Sequence, residues 1–424
     1  MKEDFLQIIW EQQLFLKDKP LLVADEELKV IKAGFKNQNA GPDFYQSKIF
    51  LFGLEWVGSI EIHIKASEWN AHKHQNDEAY QSVILHVVWE KDTEVLRKDG
   101  TIVPTIELKN LVPMEILLRY RSLLNEDKTQ ILCTSFLPSI DAFLMVSMQE
   151  RVLVERLERK AREILSRFES NNKNWLETFF QSIAWCLGLQ INAEPMLVLS
   201  QSVPVKILAA QAWNAETIAS ILLGQAGYLD KVSGQAGQKL KKEYLFYAQK
   251  YGLKPPPLLW KLFRLRPSAF PVQRIILLSI ICKNMPNWFE LIGSAKYNAD
   301  FFTTNDEATN NQILQDFLKE QGYEKDKFEI GKFLKENLVI NVFTPFLTAM
   351  GLYQNQPELI ERSLDWVNEM KAEPNKITKM WEAENQTIST AGQSQALNEL
   401  YKNYCLPKRC MECNIGTAIL RSGN

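Results

Sequence analysis

The sequence predicts an α+β protein: a small mixed α/β domain over residues 1–110, a larger all-α region over 111–400 and a cysteine-bearing tail over 401–424. Segments of period-two alternation rich in β-branched residues are confined to the first of these spans. Beyond residue 110 the apolar residues recur at helical spacing, with breaks at Pro204, Gly224–Gly227, Pro255–Pro257 and Pro267. A length of 424 residues exceeds what one ordinary core organises, so two or three domains are expected.

Taken in order, an apolar helix is expected over 3–16. Strands follow at 28–33, 47–54, 57–65, 83–89, 94–97 and 101–108. Lys98-Asp99-Gly100 reads as a hairpin turn, because Asp-Gly reaches positive φ at little cost. Val152, Val154, Leu157, Ile164 and Leu165 fall mainly on one side of a helix otherwise crowded with Arg, Glu and Lys. Further helices are expected near 175–188, 195–201, 205–212, 215–223, 235–251, 273–283, 311–321, 329–336, 341–353 and 356–370. The polar stretch 387–396 either begins a last helix or serves as a linker. No repeat of fixed length is present.

Apolar residues at 46% and charged residues at 24% are those of an average globular chain. The net charge of -2 gives no global attraction to nucleic acid or anionic lipid, so any such contact must come from a local basic patch. The first residues carry acids within an apolar stretch and lack a small-residue cleavage site, unlike a signal peptide. No apolar run approaches the ~20 residues of a membrane helix. Six cysteines without a small disulfide framework fit a reducing compartment, and the cytoplasm is expected.

All four histidines, His63, His72, His74 and His86, fall within a short stretch. In the segment 59–65, Ile60, Ile62 and Ile64 share one strand face, while Glu61, His63 and Lys65 share the other. His72, His74 and Asp77 follow in a polar segment, and strand 83–89 returns His86 beside strand 57–65. Imidazoles and carboxylates gathered in this way suit a metal or an acid–base site. Their spacing matches no standard zinc pattern, and a solvated strand face with scattered histidines is the plainer reading.

Upstream, Gly41-Pro42-Asp43-Phe44 opens the preceding strand. One strand, a turn at Gly53 and an antiparallel return would bring Glu61 back to Asp43. Two carboxylates so placed suit Mg²⁺ or Mn²⁺, oxygen-seeking ions that act on phosphoryl centres. Pro42-Asp43, followed by Glu61-Ile62-His63 on a strand, resembles the PD-(D/E)XK nuclease superfamily over about the first 110 residues. The resemblance implies a nuclease in which Asp43 and Glu61 bind the metal and Glu11 supplies the helical acid. Where that superfamily carries lysine this chain has His63, with Lys65 about 7 Å further along the strand.

The strings GPDF, EIHIKASEWNAHKH, AYQSVILHVV, LLGQAGYL, WKLFRLRPSAFPVQR and NYCLPKRCMECNIG resemble an uncharacterised bacterial family, a domain of unknown function, over nearly the whole chain. That likeness implies no activity.

Cys405, Cys410 and Cys413 stand in a C-x4-C-x2-C spacing that suits Zn²⁺ or an iron–sulfur cluster, with Cys133 as candidate fourth ligand; buried core thiols are the alternative. Cys186 and Cys282 lie in apolar helices and read as core. Residues 260–267 interleave aromatic and basic side chains, so Lys261, Arg264, Arg266 and, further on, Arg274 are candidate phosphate contacts. A helix end with locally paired arginines fits as well. Phosphate-binding loops and serine-hydrolase elbows are missing.

Three functions remain open. One is a metal-dependent phosphodiesterase on DNA or RNA, with Asp43 and Glu61 on Mg²⁺ or Mn²⁺, His63 or Lys65 orienting water, and His72, His74 and Asp77 contacting phosphate or a second ion. Another is a transition-metal protein that uses His63, His72, His74 and His86 themselves. The last is a non-catalytic helical interaction protein.

Overall fold

A computed structural model describes residues 1–37, 39–125, 131–263, 265–266, 269–293, 311–323 and 331–422. The chain forms two compact units: Met1–Glu150 with Lys379–Gln386 and Leu397–Asn424, and Arg151–Thr378 with Thr387–Ala396. The fold class is α+β, as expected, but the first unit is larger than residues 1–110. It takes in a further helix, Met114–Asn125 (α3), part of Ala142–Ser170 (α4), and the cysteine-bearing tail. Packing explains the difference. Tyr120 of α3 stacks on Phe5 of the first helix, Glu3–Glu11 (α1), with ring centroids 4.2 Å apart.

The sheet of the first unit contains β1 (Lys29–Lys32), β2 (Phe35–Lys36), β3 (Phe44–Leu51), β4 (Leu54–Lys65), β5 (Val83–Glu90) and β6 (Thr105–Glu107). Its order is β1-β3-β4-β5-β6, with β2 also paired to β3. A tight turn at Phe52 and Gly53, both at positive φ, joins β3 to β4 antiparallel and pairs Leu51 with Leu54. β5 and β6 then run parallel to β4. The C-terminal half of β4 and most of β5 are buried, as a parallel pair covered on both faces requires. One cover is α1, which buries Phe5, Leu6, Ile8, Ile9 and Trp10 and donates from Trp10 Nε1 to the Ala33 carbonyl at 3.0 Å.

The α1 helix ends at Glu11, short of the expected residue 16, because Gln13 turns to positive φ. Around Lys98-Asp99-Gly100 the hairpin forms, with Leu96 bridged to Ile102 and Gly100 at φ 83°.

The second unit is helical, with helices including Trp175–Leu187, Leu189–Gln201, Ala215–Gln225, Gln235–Tyr251, Pro271–Ile292 and Thr344–Gln354. Helix starts follow local chemistry: Asn174 and Asn214 each cap one by accepting a backbone N–H at 3.1 and 3.0 Å. Contrary to the expectation from sequence, the helix Pro271–Ile292 is long and apolar enough to cross a membrane, although 56% of its apolar window is buried within the protein. Its interior position accounts for that composition. The polar stretch 387–396 does lead into a helix, Ala391–Leu400.

Candidate metal centre

Asp43 precedes β3, and the pairing of Phe44 with Ile60 sets it beside Glu61. The Asp43 N–H donates to Glu61 Oε2 at 3.1 Å, and the Ile62 N–H donates to Asp43 Oδ2 at 2.9 Å. From α1, Gln7 Nε2 donates to Asp43 Oδ1 at 2.8 Å. Asp43 and Glu61 therefore lie side by side, each carboxylate accepting a backbone N–H from the other's segment.

Parallel pairing sets Glu61 opposite His86, whose Nε2 lies 2.8 Å from His63 Nδ1. After β4 the chain forms a short helix, Glu68–Ala71 (α2), and turns through Lys73 at φ 62° into two 3₁₀ turns. This folds His72 and His74 back over His63. His72 Nδ1 is 3.2 Å from His63 Nε2, and Glu61 Oε1 is 3.4 Å from His63 Nε2 and 3.5 Å from His74 Nε2. Ring nitrogens of His63, His72 and His74 all lie within 4.8 Å of one another. Tyr80 stacks on His74 at 3.7 Å, and Trp69 meets both His74 and His86, at 5.5 and 5.4 Å.

Electrostatics divide the donors into neutral bases and crowded acids. Burial, aided by neighbouring imidazoles, pushes His63 down to about 2 and His86 down to about 3, and burial also lowers His74. Their lone pairs are thus available at neutral pH. Burial first, then the Asp43 charge, pushes Glu61 up to about 9, against the hydrogen bond from the Asp43 N–H. Glu3 is likewise pushed up to about 7 by burial, Asp43, Glu68 and Asp4. Asp43 is raised by burial, opposed by the Ile62 N–H, Lys36 and Gln7. A cation would relieve this crowding, and His74 Nε2 is a buried atom without a hydrogen-bond partner, turned toward Glu61. Imidazole with carboxylate suits zinc, iron or manganese better than magnesium, which prefers oxygen alone.

A family model described as a protein of unknown function, DUF2851, matches residues 3–376. The chain belongs to the DUF2851 family. Nothing matches among curated proteins, and nothing matches among solved structures. The DUF2851 match spans the entire sheet and all four histidines and ends before the three C-terminal cysteines.

Other candidate residues of the DUF2851 chain fall outside this centre. His86 supports His63 from behind rather than joining the three clustered imidazoles. Lys65 is exposed at the end of β4, and its N–H donates to Glu68 Oε2 at 2.9 Å. Asp77 caps a 3₁₀ turn by accepting the Ala79 N–H at 2.9 Å. On α1 it is Glu3 and Gln7 that act on Asp43, whereas Glu11 is not among the groups acting on Asp43 or Glu61. Lys261 and Arg266 are exposed, Arg264 lies outside the described residues, and Arg274 is mostly withdrawn among the helices. Cys133, Cys405, Cys410 and Cys413 line one cavity of the first unit, apart from Cys186 and Cys282 in the helical core.

Sequence reasoning missed Glu3, Gln7, Trp69 and Tyr80. Glu3 and Gln7 are four residues apart on one helix face, a signal that becomes useful only once that face is known to meet Asp43.

Proposed function

We propose that this DUF2851 protein is a metal-dependent phosphodiesterase acting on nucleic acid, its ion a transition metal held by Glu61, His63, His72 and His74. The convergence of ring nitrogens from three histidines, with Glu61 Oε1 at 3.4 and 3.5 Å from those of His63 and His74, supports this most strongly. Such an ion supplies Lewis-acid polarisation of a water and of a phosphoryl oxygen. Asp43, beside Glu61, adds the second acid of the Pro-Asp and Glu-x-His pattern that suggested phosphodiester chemistry. Lys36 acts on Asp43, and exposed Lys65 and Lys73 add cationic charge along the neighbouring chain for a polyanion.

Cleavage of labelled single- and double-stranded DNA and RNA with Mn²⁺, Zn²⁺, Fe²⁺ or Mg²⁺ tests the reading. Wild type should cleave with a transition metal and Glu61→Gln should not, while both keep the same circular dichroism. Equal cleavage by the variant would overturn it. Tight metal binding without cleavage of any substrate would favour a non-hydrolytic transition-metal protein, which the three clustered imidazoles also suit.

A further inference from the structure

We propose a second, independent metal centre in the first unit: a thiolate site formed by Cys133, Cys405, Cys410 and Cys413 that holds a zinc ion or an iron–sulfur cluster. Cys133 lies far along the chain from the other three, and all four line one small cavity with Leu123 and Leu132. Cys133 precedes the 3₁₀ turn Thr134–Ser139. Cys405 ends a wide helical turn, and Lys408 at φ 58° turns the chain back so that Cys410 faces the same void. Cys413 stands at the N-cap of the helix Asn414–Arg421, where a thiolate is favoured by the helix dipole.

Close packing holds this arrangement. A Cβ on Gly416 would come within 2.1 Å of the Cys410 carbonyl oxygen, so glycine lets the final helix approach the cysteine turn. Lys408 Nζ donates to the Leu124 carbonyl, and Arg119 donates to the Ile419 carbonyl, joining α3 to the tail. Burial, and then the neighbouring thiols of Cys133, Cys413 and Cys410, push the Cys405 thiol up.

The chemistry of the wall selects the occupant. The cavity, about 20 Å³, has room for one water. Thiols and leucines offer water few hydrogen bonds, whereas four thiols supply the donor set of a zinc or iron–sulfur site. No disulfide joins any of the six cysteines. A lone zinc needs sulfur at about 2.3 Å and would draw the thiols inward; a cluster would fill more of the present space.

The test uses full-length protein carrying His72→Ala and His74→Ala, so that remaining metal reports on the thiols. Zinc, iron and acid-labile sulfide would be counted after aerobic and anaerobic purification and after reconstitution. About one zinc, or about two to four irons with matching sulfide, is expected per chain. Adding Cys410→Ser should remove that metal, and adding Cys282→Ser should not. Should the Cys410→Ser protein fail to fold, Co²⁺ added to the parent protein still decides. Thiolate-to-cobalt charge-transfer absorption supports the site, and its absence counts against it. Metal below about a tenth of an equivalent after reconstitution, or full retention in a folded Cys410→Ser protein, would overturn the proposal.

Discussion

His63 Nδ1 lies 2.8 Å from His86 Nε2, with both rings buried. For His63 to bind an ion through Nε2, its proton must sit on Nδ1 and point to His86, whose own proton then occupies Nδ1. His86 is thus placed to fix the tautomer and orientation of His63 as the proposed ligand.

Replacing His86 with alanine should therefore weaken metal binding by about 10–100-fold, the usual cost of losing such a supporting partner. His86→Gln, which keeps a hydrogen-bonding group, should recover part of the loss. Calorimetric titration with Zn²⁺ or Mn²⁺ measures both, and unchanged affinity in His86→Ala would remove the supporting role.

Stability of the metal-free protein should fall on both sides of a mildly acidic optimum. With Glu61 pushed up to about 9 from 4.5, the native state keeps a proton between those values that the unfolded chain has released, so its contribution is lost as pH rises. His63 and His86, pushed down to about 2 and 3 from 6.5, act in reverse. The unfolded chain takes up protons that the native state does not, and their contribution is lost as pH falls below 6.5. Urea midpoints measured from pH 5 to 9 should decline on the alkaline side, and Glu61→Gln should flatten that limb.

Metal binding near pH 7 should release about one proton per ion from Glu61, whereas burial already holds His63 and His74 toward the neutral form. Calorimetry in buffers of different ionisation enthalpy counts it. A value near zero would exclude Glu61 as a ligand.

In the helical unit, Gly224→Ala should destabilise despite the better helix propensity of alanine. The new Cβ would come within 2.1 Å of the Tyr244 ring, whose hydroxyl accepts from Gln225 Nε2 at 3.1 Å. Alanine contributes roughly 1 kcal/mol in a helix, while overpacking a buried aromatic costs about 1–3 kcal/mol or more. The overpacking should win and lower the melting temperature. At Gly293, where a Cβ meets nothing within 4 Å, the same change should cost little.

Much of the candidate centre was legible because its residues are local. The alternation at Ile60, Ile62 and Ile64 marked the strand, and the short span from His63 to His86 covers one crossover between β4 and β5. The hairpin at Phe52 and Gly53 likewise made the meeting of Asp43 and Glu61 readable. Position along an element was not readable. Lys65 shares the strand parity of Glu61 and His63, yet it lies past the covered part of β4 and turns to solvent. Glu11 lies on the helix face of Glu3 and Gln7, but the tilt of a packed helix decides which turn meets the sheet edge. The role of Asp77 went to local capping, a competition that short polar side chains near turns often win.

The first unit is discontinuous in sequence, since Leu397–Asn424 belongs to it while most of the intervening chain does not. During synthesis the ribosome delivers the sheet and α1 early, but Tyr404 and the helix Asn414–Arg421 emerge only after the helical unit. The helical unit, by contrast, has its whole chain available by Ala396. The early-made unit is therefore completed after the helical one, and until its later segments are made its tail-binding surface stays uncovered and open to chaperones or to mispairing with another nascent chain.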